Sequence, residues 1–444
     1  MDGPRSLAKS LELYERARRC IPTGTHLFSR RPELGAFGVS PIFSDRQSGG
    51  RLWDVDGNEY VDLVMGAGAV LLGHGYPPVV KAVQRQAALG TGLSLNHPLE
   101  VELAELLIEV IPCAEQVRFC KGGGEADMIA VRLARAATGR DKIAFCGYHG
   151  WHDWYLAANF GDGSTLNAHL MPGITTAGVP RALAGTTLPF EYNNLASLKA
   201  VLEANEGEVA AIILEATRSA SPEPGFLEGV RELATQHGAV LIFDEVVTGF
   251  RLALGGAQEY YGVLPDLATY AKALSNGFAL GAVAGKREVM RAAEDSFISS
   301  VYWAEATGLA GGLASVKAIR ELDVPEQVRQ KGERLSRGLQ QIINDAGVPA
   351  SCQGHPQHFF LRFEHDDPEV NQQLTTLYLQ EMARRGVFAY PVVYLCAEHA
   401  QRDLDDVLEA AEQTFAVIAQ ALDAGDVKLF LEAPVRQSGF RRMV

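Results

Sequence analysis

Ala210-Ala211-Ile212-Ile213-Leu214, then Phe226 to His237, then Ala239-Val240-Leu241-Ile242-Phe243 is the passage that decides the fold. The two apolar runs have the length of strands. Between them Leu227, Val230 and Leu233 recur at helical spacing. Strand, helix and strand in that order make one βαβ unit, whose crossover connection sets the two strands parallel.

Working outward, the same texture of short apolar runs alternating with helical stripes covers Val117 to Cys120, Lys142 to Cys146 and Gly281 to Gly285. It predicts an α/β domain with a mainly parallel sheet, residues 64–314. Upstream, Leu7, Leu11, Tyr14 and Ala17 predict a leading helix over Ser6 to Cys20, stopped at Ile21-Pro22. Asp56-Gly57-Asn58 joins Arg51 to Val55 and Glu59 to Leu63 as a hairpin. Downstream, amphipathic helices are predicted over Lys317 to Ala346 and Glu369 to Arg385, with strand-like pieces at His358 to Phe363 and Val387 to Leu395. Residues 1–63 and 315–444 are therefore assigned to a second, smaller α+β domain, packed against the first because no long linker intervenes.

Composition removes several classes of function. The 444 residues carry 54 acidic against 40 basic side chains, a formal charge of −14 with no basic run, so nucleic acid is excluded as a partner. The longest apolar stretches, such as Met65 to Gly73, are about half the roughly 20 residues a membrane helix needs. Met1 to Tyr14 lacks the apolar core of a signal peptide, and a cytoplasmic location is expected. Cys20, Cys113, Cys120, Cys146, Cys352 and Cys396 show no CxxC pair and read as reduced thiols.

In a parallel sheet, ligands gather beyond the carboxyl ends of the strands. Four segments stand there. Lys121-Gly122-Gly123-Gly124-Glu125 runs into a helix, where bare backbone N–H groups and the helix dipole suit a phosphate, although such a run alone is usually a plain turn. Gly147-Tyr148-His149-Gly150-Trp151-His152 can stack on a flat ring or simply fill a loop, and its histidines lack the further ligands a zinc site needs, so no metal is expected. Asp244, closing the Val240 run, is a helix cap, a metal ligand or a partner for a protonated ring nitrogen. Lys272, among small and apolar residues before Gly277, is either a snorkelling surface lysine or an amine made nucleophilic by poor solvation.

A phosphate cup, a stacking aromatic, a ring-nitrogen carboxylate and an imine-forming lysine are together the requirements of pyridoxal 5'-phosphate. The segments Trp53-Asp54-Val55-Asp56-Gly57-Asn58-Glu59-Tyr60, Gly73-His74-Gly75, Gly123-Gly124-Glu125-Ala126, Tyr148-His149-Gly150, Phe243-Asp244-Glu245-Val246 and Ala271-Lys272 carry a resemblance over nearly the whole length. The chain resembles the class III aminotransferases of the aspartate-aminotransferase fold (fold type I), especially their glutamate-1-semialdehyde 2,1-aminomutase branch.

That resemblance implies a homodimer with shared active sites, acting on a small-molecule amino donor and carbonyl acceptor. It implies Lys272 and Asp244 as catalytic residues, Gly123 and Gly124 at the phosphate, Tyr148 and Val246 on the two ring faces, and Glu215 nearby. Arg30, after Ile21-Pro22-Thr23-Gly24, would receive a substrate carboxylate. The family's hydroxyls in the phosphate cup are replaced by Gly122 and Gly124, and Val301 stands where the partner's threonine is expected, so backbone amides with Ser299 or Ser300 are left to hold the phosphate. Tyr394-Leu395-Cys396 and Glu398-His399 occupy the stretch where many family transaminases carry an α-carboxylate arginine. The implied reaction is transamination. Return of the amine to the same molecule (aminomutase) and epimerisation start alike, and a non-catalytic cofactor-binding protein is the remote alternative.

Overall fold

A computed structural model describes residues 5–161, 163–217 and 220–440. The chain divides into two compact units, residues 77–326 and residues 1–76 with 327–444. The sequence placed its boundaries at 63/64 and 314/315. The helix Ala306–Glu321, which carries the second boundary, packs on the helices Pro77–Leu89 and Pro98–Val110 of the first unit.

The N-terminal segment contributes the helix Ala8–Cys20 and strands β1 (Ser44–Ser48), β2 (Arg51–Asp54) and β3 (Glu59–Asp62). β2 and β3 form the expected hairpin, and Asp54 ties its turn by accepting from the backbone N–H groups of Asp56 (3.0 Å) and Asn58 (2.8 Å).

The larger unit is built on seven strands: β4 (Gln116–Cys120), β5 (Lys142–Cys146), β6 (Thr187–Pro189), β7 (Val209–Leu214), β8 (Val240–Asp244), β9 (Leu267–Tyr270) and β10 (Gly281–Gly285). Their order is β4-β10-β9-β8-β7-β5-β6. From β9 to β6 all neighbours are parallel, and β10 alone runs antiparallel to both β9 and β4. Every residue of β7 and β8 is buried, as strands covered on both faces require. One face packs on Ile129, Val131 and Leu133 of the helix Gly123–Thr138, and the other on Leu198, Phe226 and Val230. β6 and β9 were not anticipated: β6 has three residues ending in proline, and the four residues of β9, Leu267 to Tyr270, are too few to show a distinctive alternation.

The C-terminal segment holds β11 (Ala350–His355), β12 (His358–Phe363), β13 (Val387–Phe388) and β14 (Val392–Tyr394). Two expectations are corrected there. Lys317 to Ala346 is two helices, Ala306–Glu321 and Val324–Asp345, broken at Asp323, whose φ of 48° cannot continue a helix. Val387 to Leu395 is two strands on different sheets: β13 pairs with β3 and β14 with β12, with Pro391 between them. The long closing helix Gln401–Asp423 was not anticipated either.

Candidate active site

The site assembles beyond the carboxyl ends of β4, β5, β7, β8 and β9. At the end of β8, Asp244 is buried. Its Oδ1 accepts from the Val246 backbone N–H at 3.0 Å, and its Oδ2 lies 2.8 Å from His149 Nδ1. The His149 ring is wholly buried, has its Nε2 3.2 Å from the Cys146 carbonyl and stacks on Trp154. Both ring nitrogens face oxygen acceptors, and a proton on Nδ1 donated to Asp244 would orient its carboxyl group.

Beside this pair lies Asp127, a buried carboxyl on the helix Gly123–Thr138 that accepts from the Thr269 hydroxyl at 2.6 Å. Burial pushes Asp127 well above the ordinary carboxylate value, the charges of Asp244 and Glu215 add to this, and Lys272 opposes it. Asp127, His149 and Asp244 bring ligating atoms within 4.8 Å of one another, which is also a cation-like grouping. His149 spends Nδ1 on Asp244 and turns Nε2 to a carbonyl, so it has no nitrogen left for a metal.

Lys272 follows β9 as the first residue of the turn Lys272–Ser275. Its φ is 39°, a left-handed conformation that costs a lysine about 1–2 kcal/mol. The turn is held in place from below: the Ser315 hydroxyl donates to Ala273 O at 3.0 Å and the Ser275 hydroxyl to Gly308 O at 3.0 Å. Burial pulls the Lys272 amine down to about 8, against the attraction of Asp244 and Glu215 and with the help of Arg251. At neutral pH roughly a tenth of it is therefore free base, against about one part in a few thousand for an ordinary lysine.

The glycine run lies where β4 enters the helix Gly123–Thr138. Gly122 is the cap and Gly123 and Gly124 open the first turn. Gly123 is closely packed: a Cβ there would stand 2.8 Å from Val246 Cγ1, so one of the two would have to shift. Gly124 and Gly150 let two backbones touch, with a Cβ on Gly124 only 3.1 Å from Gly150 Cα. A Cβ on Gly122 would meet nothing within 4 Å.

Tyr148 is 40% exposed, and its backbone N–H donates to Glu215 Oε2 at 2.9 Å. Gly123, Val246, Asp244 and His149 thus form one contact chain, Tyr148 and Glu215 another, and Lys272 feels Asp244, Glu215 and Asp127 together. Ser300 is exposed, its carbonyl accepting from Trp303 N at 3.2 Å. Arg30 lies in the other compact unit, exposed at the end of the turn Phe28–Arg30. The sequence reading missed Asp127, Thr269, His149 as the partner of Asp244, and Glu245. Glu245 is buried and caps the helix Ala257–Tyr261 by accepting from Ala257 N (2.8 Å) and Gln258 N (2.9 Å). Only His149, set at a strand end between Tyr148 and Gly150, carried a signal in the sequence.

An open glycine cradle at a helix start, a buried oriented carboxylate and a lysine with a lowered pKa fit pyridoxal phosphate. The class defined by fold and site is thus that of fold-type I pyridoxal-phosphate enzymes. Residues 35–395 match the model of the class-III aminotransferases, and the chain belongs to that family. It is 36% identical over 426 residues to the 3-aminobutyryl-CoA aminotransferase of Cloacimonas acidaminovorans, covering 94% of this chain and 99% of that one. It is 36% identical over 437 residues to the glutamate-1-semialdehyde 2,1-aminomutase of Desulforamulus reducens, with the same shares covered. Among solved structures, the Sphingopyxis sp. MTA144 FumI protein in its PLP internal aldimine form superposes with a TM-score of 0.86 at 27% identity, covering 97% of this chain and 99% of that chain. The protein is therefore a pyridoxal-phosphate-dependent enzyme, which retires the non-catalytic alternative. Among the described residues no helix is long and apolar enough to cross a membrane.

Proposed function

We propose that the chain is an aminotransferase for a small amine, with Lys272 and Asp244 as its catalytic residues. The observation that carries this is the His149–Asp244 pair at the end of β8, one strand from the β9 end that presents Lys272 with its amine near pH 8. When bound, pyridoxal phosphate supplies an electron sink for the carbon that carries the amine. Gly123 and Gly124 offer N–H groups to its phosphate, Tyr148 and Val246 flank its ring with Glu215 alongside, and Asp244 holds a proton at its ring nitrogen. Lys272 Nζ would take the proton from the amine-bearing carbon and return it to the cofactor carbon on the far side of the nitrogen, a task suited to a base whose pKa lies near the working pH.

The substrate reading favours an amine that is not α to a carboxylate. From Tyr394 to His399 no arginine is present. Cys396 Sγ lies 3.2 Å from His399 Nδ1, and Arg402 is 86% exposed beside Asp406. A β-amino donor accords with the 3-aminobutyryl-CoA aminotransferase relative, and Arg30 is the residue we assign to a substrate carboxylate. The aminomutase relative supports the second reading, in which donor and acceptor are one molecule; epimerisation remains on the same chemistry.

Phe297, Val301 and Tyr302 are 86%, 59% and 61% exposed within six residues. Such a patch supports a homodimer in which Ser300 reaches the partner's site. We place the enzyme in the cytoplasm. The test is a panel of amines with and without a keto-acid acceptor: product that requires the acceptor supports transamination, and conversion at constant mass without one supports the aminomutase or the epimerase.

A further inference from the structure

Three positions leave the phosphate end of the site without a side-chain donor: Gly122, Gly124 and Val301. The nearest charged side chain in sequence is engaged elsewhere: Lys121 Nζ is 3.1 Å from Glu305 Oε2. The helix Gly123–Thr138 has no side chain capping its start.

One polar atom at this spot is unaccounted for. His152 Nδ1 is buried and has no hydrogen-bond partner. It stands 3.5 Å from the place a Cβ on Gly124 would take, with His152 Cε1 at 3.7 Å. Stacking on Trp151, with centroids 4.6 Å apart and planes 17° apart, keeps the ring in that orientation. A buried nitrogen left unpaired costs about 1–3 kcal/mol, a cost removed when a ligand brings an acceptor. We infer that His152 is a side-chain ligand of the cofactor phosphate, occupying the space a larger residue at 124 would fill and donating from Nδ1. This rests on the reading of Gly122–Gly124 as the phosphate cup. Burial lowers the pKa of the ring, with Glu125 and Asp153 pulling the other way.

The test compares pyridoxal phosphate with pyridoxal, which lacks the phosphate, by absorbance titration of cofactor-free protein. His152→Ala is expected to weaken pyridoxal phosphate about tenfold or more while leaving pyridoxal within about twofold. Equal losses for both compounds, or no loss for either, overturn the assignment. Should alanine at 152 prevent folding, His152→Leu is compared with His152→Asn, which keeps a donor near Nδ1; the two must then differ for pyridoxal phosphate only. Gly122→Asp isolates the underlying reading, because a Cβ there meets nothing within 4 Å and the carboxylate sets a negative charge at the cup. If Gly122→Asp leaves pyridoxal phosphate affinity unchanged, the phosphate lies elsewhere and the His152 assignment fails with it.

Discussion

Replacing Lys272 by methionine removes a cation that the site holds against its preference, and the cofactor-free protein should become more stable. The amine is brought from 10.5 down to about 8. At about 1.4 kcal/mol per pH unit, this means the fold tolerates the charged lysine at a cost of about 3 kcal/mol. The sign follows from proton counting. Below pH 8 folded and unfolded chains both carry the proton, and the folded one bears the whole cost. Between pH 8 and 10.5 the unfolded chain binds a proton that the folded one has released, so the stability of the wild type rises with pH. Above 10.5 the cost is gone. Urea unfolding of the two cofactor-free proteins from pH 7 to 10 should show Lys272→Met ahead by about 3 kcal/mol at pH 7, the gap closing as pH rises. A gap that stays constant over that range would refute a lysine destabilised by desolvation.

Three further outcomes follow from the same geometry. His149→Ala removes a wholly buried imidazole and leaves Asp244 without its 2.8 Å partner; a loss of about 2–4 kcal/mol in urea unfolding is expected, and wild-type stability would contradict the pairing. Gly123→Ala drives a Cβ to 2.8 Å from Val246 Cγ1 and should cost about 1–3 kcal/mol, most of it regained when Val246→Ala is added to the same chain. Sedimentation should find a dimer, and Phe297→Asp, changing a side chain 86% exposed in the single chain, should shift it toward monomer; an unchanged distribution removes that patch from the interface.

The central strands were legible because burial on both faces leaves a plain mark: every residue of β7 and β8 is buried, and the crossover helix Phe226–Gln236 lies between them. Sheet direction was less legible. β10 reads only as a run of small residues, and its antiparallel course is set by pairing with β4, some 160 residues earlier in the chain, and with β9. The break at Asp323 escaped notice because the amphipathic pattern continues on either side, and only the backbone angle ends the helix.

In the site, Asp244 stood out because it closes a strand run, where side chains meet ligands, and Lys272 because it is a lone lysine among small and apolar residues before a glycine turn. Asp127 and His152 did not. An aspartate within a helix and a histidine after a tryptophan look ordinary until Thr269, Asp244 and Gly124 arrive from distant parts of the chain. The significance of both residues lies in desolvation and in an unpaired nitrogen, which are properties of the folded neighbourhood rather than of local sequence.

The most direct test of the central claim is the visible spectrum of the purified protein with pyridoxal phosphate, before and after borohydride, followed by peptide mapping beside Lys272→Ala. The account predicts a yellow band in the wild type that borohydride bleaches, with the pyridoxyl group recovered on Lys272 and no such adduct in the variant. A well-folded wild type that develops no band, or an adduct recovered on another lysine, would contradict it.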